Sequence, residues 1–406
     1  MSSKSYDELK AEMEAIQQQM VEAKKNERTN ALKEVKRLSE NLNVSQILFK
    51  LLTEENSVVL YGATEEASYI ADKFPDSIIG IVDKKYSIGE EWNNIPCLHI
   101  SNIRDNTLVI NCVTAAHHSN VYRMLNDKTK MVINFYDLIC WLLPNEQFAV
   151  TNSIVMKNWC DFPITFEKYI SAFKNYRSSF EDETSIKHYD DFLNGKILGN
   201  IAILATDKSF QDPSTMYFQD FLPNLAGYTF IDVGSYDGSN SEAFLEKYTN
   251  TNAVGIEPNP ENAELIKRKM KKFSKRFSLD ECALSDKHEK ATISLEGSSS
   301  IVSPVIKENE LSSVIHTTTL DDLLQKRDLL NEKIFVKMDV EGAENMVLLG
   351  AKNTIKNKNA IFAISCYHKS TDLVDFYNIF KDELNQRKIY FRHLTSGACE
   401  TVLFLV

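Results

Sequence analysis

The sequence predicts an α/β protein with an open, doubly wound parallel sheet in its C-terminal half. Three observations predict it. Apolar runs recur at 229–233, 252–256, 277–280, 334–338 and 360–365, and helix-forming stretches separate several of them. The first, second and fourth of these runs lead straight into a glycine or an acid, as strands do where they deliver groups to a crevice. The last two runs, 387–392 and 400–405 in "YFRHLTSGACETVLFLV", have a turn and no helix between them, so they read as an antiparallel edge hairpin.

At 406 residues the chain is long for one domain. The expected division is a helical, coiled-coil segment at 1–50, a small Rossmann-like α/β domain at 51–140, a helical connecting region at 141–228, and the larger α/β domain at 229–406. Residues 4–42 lack Gly and Pro and are dense in Lys, Glu, Gln and Ala. Leu9, Met13, Ile16 and Met20 step as a coiled-coil seam, and Leu32, Val35, Leu38 and Leu42 resume the stripe. So narrow a stripe wants a partner helix, which predicts a homo-oligomer. The stretch "MVEAKKNERTNALKEVKRLSENLNVS" also resembles the oligomerisation helices of H-NS-type nucleoid proteins, over about the first 45 residues only.

In "SVVLYGAT" a strand meets Gly62, and "IIGIVDKK" brings Asp83 about 20 residues later, an order that imitates a dinucleotide site. Only one of the three fingerprint glycines is present, and Glu65 stands where a pyrophosphate would rest. The expectation is a retained fold without NAD. The pair in "AAHHSN" reads as solvated surface.

Composition narrows the function. A hydrophobic fraction of 43% and a charged fraction of 25% are ordinary for a globular chain. A net charge of -11 argues against broad nucleic-acid or anionic-membrane binding. Seven cysteines without a CxxC pair form neither a zinc motif nor a disulfide framework. No apolar h-region opens the chain, and no run approaches the ~18 residues of a membrane span. These readings give a cytoplasmic expectation with no membrane insertion.

The main motif is "TFIDVGSYDGSNSEAF". Its glycines are spaced G-x-x-x-G, and Asp232 and Asp237 flank the turn, which would repel a pyrophosphate. They suit a ligand carrying an ammonium and a sulfonium, as S-adenosylmethionine does. Gly234 lets backbone approach such a ligand, and Gly238 permits close packing at the helix start. Glu257 in "GIEPNP" ends the next strand, where a carboxylate binds ribose hydroxyls, and Pro258 turns the chain out of the sheet. In "ECALSD", small Ala283 beside Leu284 leaves room for a flat ring. In "KMDVEGAENMVLLGA", Asp339 sits at a central strand end, while Glu341 and Glu344 open the next helix, where acids also cap. His368 in "YHKSTDL" follows another strand end and is read as a general base.

In this order the blocks "YFQDFLP", "FIDVGSYDG", "GIEPNP", "CALSD", "TTTLDDLL", "KMDVEGAENMVLLGA", "YHKSTDL" and "ETVLFLV" resemble the FkbM family of methyltransferases, over residues from about 180 to 406. The resemblance implies a class I, S-adenosylmethionine-dependent fold and transfer to hydroxyl oxygen, with sugars and natural-product scaffolds among the acceptors. It implies cofactor contacts at Asp232, Gly234, Ser235, Asp237, Gly238 and Glu257. Ser235-Tyr236 stands where many members read Ala-Asn, and "ISCYHK" where many have Glu-x-His.

The resulting expectation is an O-methyltransferase acting on a carbohydrate or other hydroxyl-bearing small molecule, in bacterial surface-glycan assembly. Cofactor contacts are Asp232, Gly234, Ser235, Asp237, Gly238, Glu257, Pro258, Ala283, Leu284 and Asp339. Asp339 and His368 are the catalytic candidates. The favoured reading has no metal; a divalent ion on Asp339 and its neighbouring acids is the other route to activating a hydroxyl. An NAD-dependent sugar-nucleotide enzyme and a non-catalytic oligomeric binding protein are the rivals.

Overall fold

The computed structural model describes residues 58–104, 107–113, 118–129, 131–135, 137–138, 154–198, 214–294, 302–303, 312–384, 386–395 and 399–406. The expected coiled coil at 1–50 and His117 lie outside these residues.

The chain first builds a four-stranded sheet. Its elements are β1 (Val58–Tyr61), α1 (Glu65–Lys73), β2 (Ile78–Val82), the short antiparallel pair β3 (Glu91–Trp92) and β4 (Ile95–Pro96), β5 (Leu108–Asn111), α2 (His118–Asn126) and β6 (Val132–Asn134). The order is β2-β1-β5-β6 and every pair is parallel. β1 and β5 are buried throughout, as strands covered on both faces must be. Gly62 ends β1 at φ +100°, and Thr64 caps α1 through its side chain.

Three helices follow: α3 (Ile154–Lys168), α4 (Ile170–Arg177) and α5 (Glu183–Leu198). Their aromatics pack edge to face, with Phe162 5.6 Å from Phe173 and 5.7 Å from Phe192.

The larger sheet takes β7 (Thr229–Val233), α6 (Ser239–Lys247), β8 (Asn252–Ile256), α7 (Pro260–Lys269) and β9 (Phe277–Asp280). After a side excursion come β14 (Ile334–Met338), α9 (Glu344–Leu349), α10 (Lys352–Lys356), β15 (Ala360–Ser365), α11 (Asp372–Phe380), β16 (Ile389–His393) and β17 (Thr401–Leu405). The order is β16-β17-β15-β14-β7-β8-β9, parallel except that β17 runs antiparallel to both β15 and β16. Successive residues point to opposite faces. Phe230 and Phe335 therefore enter one apolar cluster with Phe244, while Ile231 and Val336 enter another with Phe362. α5 lies on β16, where Tyr189 and Phe192 contact Phe391 at 5.2 and 5.5 Å.

The excursion is β10 (Ala283–Leu284), β11 (Lys290–Ser294), β12 (Val302–Ser303), β13 (Ser312–Thr318) and α8 (Leu320–Lys326). It forms a second small sheet in the order β10-β13-β11-β12, which the apolar pattern does not announce. No helix among the described residues is long and apolar enough to cross a membrane.

Candidate active site

A cavity of about 580 Å³ opens over the C-terminal ends of β7, β8 and β14, the position at which open α/β sheets hold ligands. Its size is within the range of small-molecule sites.

The glycine turn after β7 forms one wall. Gly234, Ser235, Tyr236 and Asp237 line the cavity. A methyl group on Gly234 would stand 1.8 Å from the carbonyl oxygen of Asp339. Gly234 is therefore required by the approach of two strand ends, besides facing the cavity. Gly238 is fixed by its left-handed φ of +77° at the start of α6; a methyl group there would meet Ile266 at an ordinary 3.5 Å. Ser235 pins the turn, donating to the Asp232 carbonyl at 2.7 Å and accepting from Ile256 N–H at 3.0 Å. Tyr236, at φ +51°, is half exposed on the rim.

Asp232 departs from its expected role. It is fully buried and does not line the cavity. One carboxylate oxygen accepts from Ser241 at 2.7 Å, and the other lies 3.2 Å from the Lys337 ammonium. β7 and β14 set Asp232 and Lys337 side by side. Lys337, 3% exposed, also donates to the Gly234 carbonyl at 2.6 Å. Burial disfavours its charge, but Asp232, Asp339 and Glu257 outweigh burial and raise its pKa. Asp237 is likewise engaged, by Lys269 at 2.7 Å and by Ser239. Burial pushes its pKa up, and these partners bring it below the usual value. The two acids from which a cationic ligand was inferred thus already hold lysines.

Other carboxylates face the cavity: Glu257, Asp339, Glu341 and Glu400. Glu257 accepts from Tyr236 N–H at 2.9 Å and Asn259 N–H at 3.0 Å, so it is aimed by the turn it supports. Burial nonetheless raises its pKa. Pro258, Ala283 and Leu284 also line the cavity. Asp339 stands where β14 leaves the sheet. Tyr217 donates to its Oδ2 at 3.2 Å, and the Tyr367 hydroxyl is 3.5 Å from Oδ1.

His368 lies behind this floor. It is 1% exposed and does not line the cavity. Its Nδ1 is 3.0 Å from Glu344, and its Nε2 is 3.6 Å from Asp339 Oδ1 and 3.5 Å from Glu341. Burial lowers its pKa, but Glu344, Asp339 and Glu341 together push it up to about 10. Buried behind the cavity floor, His368 does not reach an acceptor hydroxyl, so the structure does not place it as the base.

Sequence reasoning missed Tyr217, Lys337, Tyr367 and Glu400. Lys337 left a signal: a lone lysine in the apolar run "IFVKM" needs a buried acid beside it. Glu400 precedes β17 at φ +58°, and burial with Asp339 nearby pushes its carboxyl to about 8.

The comparisons with known proteins define the class first: the chain is a methyltransferase. Residues 232–382 match the family model described as the Methyltransferase FkbM domain. The fold agrees with the crystal structure of Methyltransferase FkbM from Methylobacillus flagellatus KT, at TM-score 0.66 and 18% identity over 90% of this chain and 93% of that one. A precorrin-6y C5,15-methyltransferase from Geobacter metallireducens GS-15 overlays at TM-score 0.27 and 11% identity, over 44% of this chain and 78% of its own. An O-methyltransferase from Bacillus cereus, in complex with SAH, gives TM-score 0.32 and 11% identity over 59% and 99%. A search of curated proteins returns no match.

Proposed function

We propose that the chain is an S-adenosylmethionine-dependent O-methyltransferase whose acceptor is a sugar hydroxyl, in the building of a bacterial surface glycan. The observation that carries this reading is the cavity over β7, β8 and β14, with Glu257 at one end and Asp339 at the other. The residues present suit the cofactor. Glu257 holds a carboxylate at a strand end for ribose hydroxyls, and Ile256, Ala283 and Leu284 supply apolar wall for a flat ring. The carboxylates of Asp339 and Glu341 favour a positive group. When bound, the cofactor supplies a sulfonium methyl for transfer to oxygen.

Asp339 holds the acceptor. Tyr217, itself 3.3 Å from Ser365, fixes the carboxylate by donating to Oδ2. That oxygen keeps a lone pair for the acceptor hydroxyl and takes its proton as the new bond to oxygen forms. The turn and the β14 exit position the reactants, which supplies much of such a rate.

The test is to incubate the full chain with methyl-labelled S-adenosylmethionine and glycan precursors, and to identify the labelled product. The label is expected on a hydroxyl oxygen. In Asp339→Asn, kcat should fall about 10²- to 10⁴-fold, with affinity for S-adenosylhomocysteine nearly unchanged. Label on nitrogen or carbon, or full activity in that variant, would reject the reading. Self-association through residues 4–42 is proposed as well. Deleting them should lower the hydrodynamic size by more than their own mass explains; an unchanged oligomer would reject it.

A further inference from the structure

Behind Asp339 lies a group of donors that the proton transfer does not use. Asp339, Glu344 and His368 each place a ligand-type atom within 4.8 Å of the others. His368 is 1% exposed and Glu344 fully buried. His368 Nε2, Glu344 Oε2 and Glu400 Oε2 are buried without a hydrogen-bond partner among the described residues. Burying such atoms unpaired is costly, so several together point to a missing partner.

The distances show where that partner sits. Nε2 of His368 faces Asp339 Oδ1 at 3.6 Å and Glu341 Oε2 at 3.5 Å. Neither separation is a hydrogen bond. Donors bound about 2.1 Å from one ion lie roughly 3.0–3.5 Å apart, which is close to both. On the other side of the ring, Nδ1 is 3.0 Å from Glu344 Oε1. Glu344 also accepts from Val340 N–H at 2.9 Å and Gly342 N–H at 3.3 Å. It therefore ties down the ring and the loop that carries Glu341, whose φ of +53° turns the chain back towards His368. A carboxylate behind a histidine that offers its other nitrogen forwards is how proteins orient a metal ligand.

We propose that this chain binds one divalent first-row metal ion through His368 Nε2, Asp339 Oδ1 and Glu341 Oε2, with Glu344 orienting the histidine. Asp339 and Glu341 both line the cavity, so the open coordination positions face the acceptor. One imidazole with two carboxylates suits Mn²⁺ or Zn²⁺. Ca²⁺, which takes 6–8 oxygen ligands, fits less well. The inference rests on the reading of Asp339 as the acceptor-binding carboxylate. It adds an ion that would hold the acceptor oxygen beside Oδ2 and weaken its O–H bond.

The test titrates Mn²⁺ into the EDTA-treated full chain, following loss of the free-ion electron paramagnetic resonance signal. S-adenosylhomocysteine affinity is measured on the same samples. One Mn²⁺ per chain is expected. Glu344→Gln should bind it about 10- to 100-fold more weakly, and His368→Ala should lose it. Because His368→Ala can disturb the core, Glu341→Gln, at a partly exposed side chain, is the second variant and should lose at least ten-fold. No binding by the wild type, or wild-type affinity in Glu341→Gln or His368→Ala, would overturn the site. Normal Mn²⁺ binding without S-adenosylhomocysteine binding would leave the ion site standing and overturn the cofactor reading instead.

Discussion

Two regions of the molecule begin alike and end differently. In each, a buried strand meets a glycine in the left-handed region, a helix follows, and an acid ends the neighbouring strand: Gly62 with Asp83, and Gly234 with Glu257. In each, the acid accepts a backbone N–H from the turn. Asp83 takes Ala63 N–H at 2.8 Å, and Glu257 takes Tyr236 N–H at 2.9 Å. Asp83 also takes Lys85 N–H at 2.8 Å, as Glu257 takes Asn259 N–H at 3.0 Å, so the hydrogen bonds of the two acids are alike. Beside Glu257 the strand ends, the Asp339 exit and Glu400 spread apart around 580 Å³. The lesson is that a glycine turn with a nearby acid is a way of joining strand to helix. It becomes a site only where other strand ends leave space in front of it.

The largest expected effect separates the two glycines. In Gly234→Ala the new methyl group would meet the Asp339 carbonyl at 1.8 Å, while in Gly62→Ala it would meet Val113 at 3.0 Å. The first should cost more than about 4 kcal/mol in chemical denaturation and abolish methyl transfer. The second should cost about 1–2 kcal/mol for its left-handed backbone and spare activity. Equal losses would break the comparison.

The paired acids give a smaller contrast. Glu257→Gln should weaken S-adenosylhomocysteine binding about ten-fold, equivalent to about 1.4 kcal/mol. Asp83→Asn should leave that affinity within two-fold and only lower the melting temperature. Calorimetry on both variants decides it, and a loss of cofactor affinity in Asp83→Asn would place a ligand on the wrong sheet.

The smallest effect concerns the tie between the helical connection and the larger sheet. Asp182 is bound by Arg392 at 2.6 Å and accepts Ser185 N–H at 2.7 Å. Burial pushes its pKa up, but these partners bring it from the ordinary 3.8 down to about 2. A depressed carboxyl stabilises the fold above its unfolded pKa and loses that contribution as pH falls through the folded one. The melting-temperature gap between wild type and Asp182→Ala should therefore be full at pH 6 and narrow between pH 3.8 and about 2. A gap that widens on acidification would contradict the pairing.

Much of this was legible in the sequence because it rests on local pattern. Strands at 229–233, 252–256, 277–280, 334–338 and 360–365 fall where apolar runs are cut by glycines and acids. The Glu257, Pro258, Ala283 and Leu284 positions follow from being strand ends. What was illegible depends on register and packing across the chain. Asp232 looked available until β14 placed Lys337 next to it. His368 read as a general base until the structure set Glu344 of α9 against its ring and buried it. Tyr217 and Glu400 reach Asp339's surroundings from 122 and 61 residues away, and no periodicity signals such a meeting. The β10–β13 sheet escaped notice because its strands are short or polar, as in "SSVIHTT".

We infer that the larger sheet alone binds the cofactor. Isothermal titration of S-adenosylhomocysteine into the full chain, in wild type and in Glu257→Ala, tests it most directly. One site per chain is expected in the wild type, and loss of that site in the variant. No binding, a second site, or binding untouched by Glu257→Ala would contradict it.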